Sequence, residues 1–264
     1  MHCPWKNFEV ILLYERRWSF RETRLKIKSD SENSIKLAIE SALNARRKIE
    51  RFIVGHPEFR NSLEPLNWDE ENYSGIIHLM LRGSKIAKVG PFAAVAGSIS
   101  QVATESITRR DDDNILVDNG GDVSIAGNRE FKVGIYAGDS PASGKFAFLI
   151  NPENLPLGIC TSSGSVGHSI SFGDSDAVTV VADECSIADA VATGVANEVK
   201  GDDIESSIKR GLDRADDIPE IEGCLIVRGE SMGRVGRLPK ILSLSDGNLT
   251  YPEELTPDSR SILE

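Results

Sequence analysis

Asp189 and Thr193 stand four residues apart in "CSIADAVATGVAN", residues 185–197, a segment otherwise built almost wholly of Ala, Val, Ile and other small residues. A helix through it puts the carboxylate and the hydroxyl on one face, one turn apart. Two oxygen donors so placed suit a hard cation such as Mg²⁺, which takes one or two carboxylates and completes its shell with water or substrate phosphate. A solvent-facing Asp and a Thr bonding back to its own helix would leave the same pattern. The flanking Ile187, Ala188, Ala190, Val191, Ala192 and Val195 sit poorly with a freely solvated face. A buried carboxylate needs a partner, and none is adjacent in sequence.

Two further segments carry candidate chemistry. "VDNGGDVSIAG" sets Gly120 and Gly121 between Asn119 and Asp122; this reads as a tight hairpin turn or as a backbone that lets a ligand approach closely. "CTSSGSVGHS" combines Thr161, Ser162, Ser163, Gly164 and Gly167 with His168. Such a loop can cradle an anion on its N–H groups, with His168 as a phosphate contact or a general acid or base. A serine or Cys160 nucleophile paired with His168 would lack an orienting acid and the usual elbow pattern. "RRDDDN", residues 109–114, reads as a solvated turn, with a metal cluster as the alternative. Arg228, Arg234 and Arg237 in "VRGESMGRVGRLPK" form either a polar hairpin connection or an anion clamp. His2, His56 and His78 show no informative pattern.

The elements that must hold these residues follow from periodicity. Residues 8–14 and 23–28 alternate as the two strands of a hairpin-like start. Residues 29–53 form an amphipathic helix with Ile35, Ile39, Ala42, Ile49 and Ile53 on one stripe and a Ser or Asp cap near 29–31. Residues 55–74, polar and with two prolines, read as a surface connection, and a short helix is expected from about Gly75 to Ala87. Pro91 suits the start of a helix over 89–107. Short strands follow at "ILVDNGGDVSIAG", "FKVGIYAG", "KFAFLI", "GICTSSG" and "AVTVVA". Then come the apolar helix, a second helix over about Asp202–Asp213, and the strand "GCLIVRG". The acidic tail from Asp246 to Glu264 is expected to be loosely attached to a single domain over residues 1–245. Helices interleaved with hairpin-type strands favour α+β over a doubly wound parallel sheet.

Composition bounds the function. Thirty basic against 41 acidic residues give a net charge of −11, which argues against a nucleic-acid binder but not against one small anion in a local pocket. No apolar run has the length of a membrane span. The N-terminus lacks the apolar core and cleavage site of a signal peptide, so the expected location is cytoplasmic, and no membrane partner is implied. The cysteines, Cys3, Cys160, Cys185 and Cys224, show no C-x-x-C spacing and read as buried or incidental thiols. Nothing in the sequence sets the oligomeric state.

Taken together, "GPFAAVAG", then "VDNGGD" about 25 residues later, then "ICTSSG" and "DAVTVVADECSIADAVATGVAN" resemble the ApbE superfamily. Its best-known members are Mg²⁺-dependent flavin transferases first named as thiamine-biosynthesis lipoproteins. The texture of "HPEF", "VGPFAAVAG", "SSGSVGHSISFG" and "DAVTVV" looks closer still to a cytoplasmic branch found in archaea and bacteria. The resemblance implies a duplicated tunnelling-type α+β fold, mainly antiparallel sheet with packed helices, and a ligand held between two interleaved halves. It implies that Asp189 and Thr193 bind Mg²⁺, that "DNGGD" and "TSSG" lie near the ligand, and that FAD or FMN is that ligand. Ala94 stands where the transferases carry a lysine, and the interval "SVGHSISFGDS" is shorter than the transferase segment holding a histidine–isoleucine–aspartate–proline motif. Two functions follow as expectations: an enzyme binding an anionic small molecule with Mg²⁺, or an accessory or sulfur-transfer protein in homocysteine formation. The second acts through a protein partner and makes Cys160 the thiol to test.

Overall fold

The computed structural model of the chain describes residues 14–108, 114–138, 140–141, 143–163, 173–245, 248–250 and 261–263. The chain opens with a hairpin, β1 (Tyr14–Phe20) and β2 (Thr23–Ser29), paired from Tyr14↔Ser29 to Phe20↔Thr23. The first described strand begins at Tyr14; the rest of the strand expected over 8–14 lies outside the described residues. In β2 the alternation of Leu25 and Ile27 with Lys26 and Lys28 turns the apolar pair onto the core. Helix α1 (Glu32–Gly55) starts at Ser31, whose hydroxyl accepts from the Ser34 N–H. Its buried stripe is Ile35, Ala38, Ala42, Ala45 and Ile49, with Ile39 and Ile53 at the margin.

Residues 55–74 run over the surface as expected, but are anchored to the core at one point, Phe59. They contain a short helix, α2 (Pro57–Asn61), and a single 3-10 turn at Glu70–Asn72. Phe59 is completely buried, packed edge-on against Phe52 at 5.0 Å and stacked on Trp68 at 6.2 Å. Tyr73 and Phe92 join the same aromatic cluster. Within 55–74 the prolines and charges outnumber Phe59, Trp68 and Tyr73, which are spaced irregularly, so no period marks this satellite of the core.

Helix α3 (Ile76–Ala87) is followed by a 3-10 turn beginning at Pro91, which runs into α4 (Val95–Thr108). The strands then run β3 (Ile115–Asn119), β4 (Asp122–Ala126), β5 (Phe131–Ile135), β6 (Phe146–Ile150), β7 (Leu157–Ser162) and β8 (Ala177–Ala182). Helices α5 (Cys185–Ala196) and α6 (Ile204–Asp216) come next, then β9 (Gly223–Arg228), β10 (Ser231–Gly236) and β11 (Lys240–Ser245). The expected hairpin connection is the Gly229–Glu230 turn between β9 and β10, and Arg234 lies in the strand that follows it. In the tail, β12 (Asn248–Thr250) pairs with β11 and β13 (Ser261–Leu263) with β10.

All described strand pairs are antiparallel. A nine-stranded sheet has the order β1-β2-β3-β4-β7-β8-β9-β10-β13, and a smaller one the order β12-β11-β6-β5. The duplication is visible in this order. Two strands, a helical segment and two strands make β1-β2-β3-β4 with α1–α4, and the same plan makes β7-β8-β9-β10 with α5 and α6. The halves join along β4 and β7, with Asp122 opposite Cys160. One face of the large sheet carries Ile27, Val117, Val180 and Ile226 into the helix layer; the other carries Val123, Ile159, Val181 and Leu225 onto the small sheet. Strand β8 is buried on both faces, which explains its unbroken apolar run. Phe59→Ala should cost about 3–5 kcal/mol of unfolding free energy; urea denaturation of the variant checks that Phe59 anchors the 55–74 segment to the core.

Candidate functional site

Helix α5 is buried along its whole length, Asp189 and Thr193 included, at 7% and 6% exposure. The partner that Asp189 lacks in its own neighbourhood comes from α4: the Gly97 N–H donates to Asp189 Oδ2 at 2.8 Å, and the Ala96 N–H also contributes. The carboxylate therefore sits on the positive end of α4 and satisfies N–H groups that the helix itself cannot. Gln101 of α4 returns the contact, its Oε1 accepting from the Ser186 N–H at the start of α5 at 3.0 Å. Only glycine fits at residue 97, because a Cβ there would stand 2.6 Å from Asp189 Cβ and 2.4 Å from the Cys185 carbonyl oxygen. A Cβ on Gly158 of β7 would likewise meet Cys185 Cα at 2.4 Å. Thr193 Oγ1 has no hydrogen-bond partner among the described residues.

The other residues singled out by sequence divide between the two faces of the large sheet. Asn119, Asp122 and Ser162 belong to the helix side. Asn119 Nδ2 donates to the Ala96 carbonyl at 3.3 Å and its Oδ1 accepts from the Arg24 N–H at 3.2 Å. Ser100 Oγ ties α4 to the Asp122 carbonyl at 2.8 Å. Ser162 Oγ is buried without a partner among the described residues. Gly120, Gly121, Thr161 and Ser163 instead line a cavity of about 640 Å³ between the large sheet and β5. Gly120 and Gly121 form the β3–β4 turn at φ +74° and +109°, closed by the Gly121 N–H on Asp118 Oδ1 at 2.9 Å. The turn reading thus holds, and the turn also opens onto the cavity. Thr161 Oγ1 meets Thr179 Oγ1 at 3.0 Å.

Sequence reasoning missed the rest of that wall: Lys26, Lys28, Lys132, Phe131 and Tyr136. The two β2 lysines were recoverable from strand alternation, since both must face away from Leu25 and Ile27. Gly164 and His168 lie outside the described residues, as do 109–113 of "RRDDDN". The three arginines do not converge into a clamp. Arg228 bonds Ser207 Oγ at 2.6 Å and faces Asp174, Arg237 pairs with Glu222, and Arg234 is buried. A second cavity, of about 750 Å³, opens between α1, α3 and α4; none of the sequence-derived site residues lines it.

Burial dominates the electrostatics. It raises the Asp189 carboxyl well above its ordinary range, and the Asp122 charge adds to the rise, against the opposing N–H groups of Gly97 and Ala96. Burial also pushes Asp122 up to about 7, helped by Asp118 and opposed by the Cys160 thiol and the Thr161 N–H. No Lys, Arg or His forms an ion pair with either carboxylate among the described residues. Cys160 and Cys185 lie beside them with sulfurs 3.4 Å apart. Both are free thiols raised chiefly by burial, and a protonated, buried thiol is a poor nucleophile. Among the described residues no three His, Cys, Asp or Glu side chains are grouped to hold a metal ion; the oxygen set is two carboxylates and one hydroxyl. Because folding raises the Asp122 pKa, the folded chain holds this proton more tightly than the unfolded one. That stabilisation is complete below the ordinary value of 3.8 and is lost as pH rises through about 7. Asp122→Asn should flatten this decline by up to about 1.4 kcal/mol per pH unit, read from urea unfolding across pH 4–8 with chelator present.

A family model described as AbpE bacteria matches residues 14–221. A UPF0280 protein of Methanothermobacter thermautotrophicus is 43% identical over 222 residues, covering 84% of this chain and 85% of the relative. One from Methanopyrus kandleri is 39% identical over 248 residues, covering 93% and 99%. Among solved structures, the ApbE protein of Thermotoga maritima superposes with a TM-score of 0.53 at 14% identity, covering 81% of this chain and 94% of that one. The apo form of the flavinyl transferase ApbE from Pseudomonas stutzeri gives 0.50 at 13%, covering 85% and 94%. No described helix is by itself long and apolar enough to cross a membrane. With most of its length matched by the family model, and with the antiparallel α+β fold of the ApbE structures, the chain belongs to the AbpE bacteria family and is related over most of its length to the UPF0280 proteins.

Proposed function

We propose that the protein binds an anionic nucleotide of the flavin type together with Mg²⁺ and acts as an enzyme of cofactor chemistry. The observation that carries this reading is a pair of carboxylates, Asp189 buried and Asp122 half-buried, with no cationic partner among the described residues, and with the Thr193 hydroxyl one turn along α5 from Asp189. Oxygen donors of this kind fit a hard divalent ion, which needs few protein ligands when a phosphate completes its shell. Asp189 and Thr193 would hold the ion, with Asp122 next to them across the seam of the two halves. Bound there, Mg²⁺ would neutralise phosphate charge and polarise a phosphoryl oxygen.

The chain's own groups account for the remaining tasks. The Gly120–Gly121 turn brings backbone close to the ligand without obstruction, nothing lying within 4 Å of where a Gly120 Cβ would stand. Thr161 and Ser163 offer hydroxyls at the same end of the cavity, Lys26, Lys28 and Lys132 offer positive charge, and Phe131 and Tyr136 an aromatic wall. His168 is the proposed acid or base. The name of a structural neighbour, the flavinyl transferase ApbE of Pseudomonas stutzeri, supports the flavin part of the reading.

Calorimetric titration with FAD, with and without Mg²⁺, tests the proposal on wild type, Asp189→Asn and Thr193→Val. Thr193→Val keeps the shape of the side chain and breaks no hydrogen bond within the described residues, so its melting temperature should stay close to that of wild type. Its Mg²⁺-dependent affinity should fall by more than about tenfold. FAD binding that ignores both Mg²⁺ and Thr193→Val, or no binding under any condition, would overturn the reading.

A further inference from the structure

Seven consecutive residues, Glu130 to Tyr136, line the cavity between the sheets. A strand that turned one face to a cavity would line it with every second residue. Lining by every residue means that β5 presents its edge. The sheet order agrees, because β5 ends the small sheet and its partner among the described strands is β6 alone. The Gly144 N–H donates to the Ile135 carbonyl at 3.0 Å on the β6 side. By alternation Val133 and Phe131 also turn their backbone groups towards β6, and those of Lys132 and Gly134 turn outward. Neither outward residue makes a backbone hydrogen bond beyond the strand ladder among the described residues. Nothing lies within 4 Å of where a Gly134 Cβ would stand.

We infer that this edge is a docking site for an extended, acidic peptide segment of a partner protein, added as a strand beside β5. Alternating outward N–H and C=O groups are what a second extended backbone satisfies. A run of seven residues spans about 20 Å at ~3.3 Å per residue, which is room for a segment of similar length. The wall facing β5 carries Lys26 and Lys28, and β5 itself carries Lys132. These lysines make only loose contacts of 3.4–3.8 Å with exposed Glu15 and Glu130, and Asp118 on the same wall is engaged by the Gly121 N–H. On a molecule of net charge −11, a locally basic wall selects carboxylates. Leu116, Val123 and Ile159 between them take alternate apolar side chains. The inference does not rest on the flavin reading, although the two share Lys26, Lys28, Lys132 and the β5 wall, so that a flavin and a peptide would compete there; it gives the expected protein partner a stated chemistry.

The test is selection of random heptapeptides displayed on phage against the full chain, followed by binding of the enriched peptides to Gly134→Pro. That substitution removes an outward N–H and spares the ladder to β6, and edge strands tolerate proline; equal melting curves verify the fold. Amide hydrogen exchange of wild type with bound peptide gives a readout independent of the variant. The expected result is enrichment of acidic sequences with alternating apolar residues, binding Gly134→Pro at least about tenfold more weakly, as for one or two lost backbone hydrogen bonds. The Lys132 and Gly134 amides should exchange more slowly when peptide is bound. No enriched peptide, equal binding to Gly134→Pro, or protection confined to other amides would each overturn it.

Discussion

A carboxylate taken out of water must be compensated, and Asp189 is compensated by the N-terminus of a helix 92 residues away in sequence. Most of the molecule follows from that one contact. It fixes α5 against α4, and Gln101 fixes α4 against α5 in return. The two helices then approach so closely that Gly97 has no room for a side chain, and β7 approaches the same turn through Gly158. The smallness of "VGPFAAVAG" and the apolar character of "CSIADAVATGVAN" are two sides of one packing requirement. Asp189 therefore has a structural duty whatever else it binds: its carboxylate caps a helix.

The period-2 geometry of strands sets how the rest of the site is shared. Asp122 and Ser162 face the helices, while Thr161, Ser163 and the open side of the Gly120–Gly121 turn face the cavity. Residues adjacent in sequence thus face opposite sides of the sheet, the buried helix layer with its carboxylates on one and an aromatic-walled cavity with three lysines on the other. They meet at the strand ends, where the turn and the end of β7 leave no sheet between them.

Much of this was legible in the sequence where a period or a turn signal was strong. The amphipathic stripe of α1, the glycine pair of the β3–β4 turn and the all-apolar α5 each declared themselves. The aromatic cluster around Phe59 did not, because irregularly spaced rings among prolines and charges carry no period. The partner of Asp189 could not be read either, since backbone N–H groups of a remote helix leave no mark in side-chain identity. Strand alternation did contain Lys26 and Lys28 as a pair facing away from the core. What it could not contain was the position of β5, a tertiary fact, which turns that face into the wall of a cavity.

The duplicated architecture has a consequence for how such a chain can diverge. Along β4 and β7 the two halves meet as two subunits of half the length would, yet the meeting is within one polypeptide and each half is encoded separately. Symmetry is no longer enforced: the first half carries four helices between its strand pairs and the second carries two. Each has specialised for a different contribution, the glycine turn and Asp122 from one, the apolar helix with Asp189 and Thr193 from the other. A change in one half alters the shared centre only once, where in a symmetric pair of subunits it would strike twice. Covalent fusion thus frees the seam to vary asymmetrically while the scaffold on either side stays fixed.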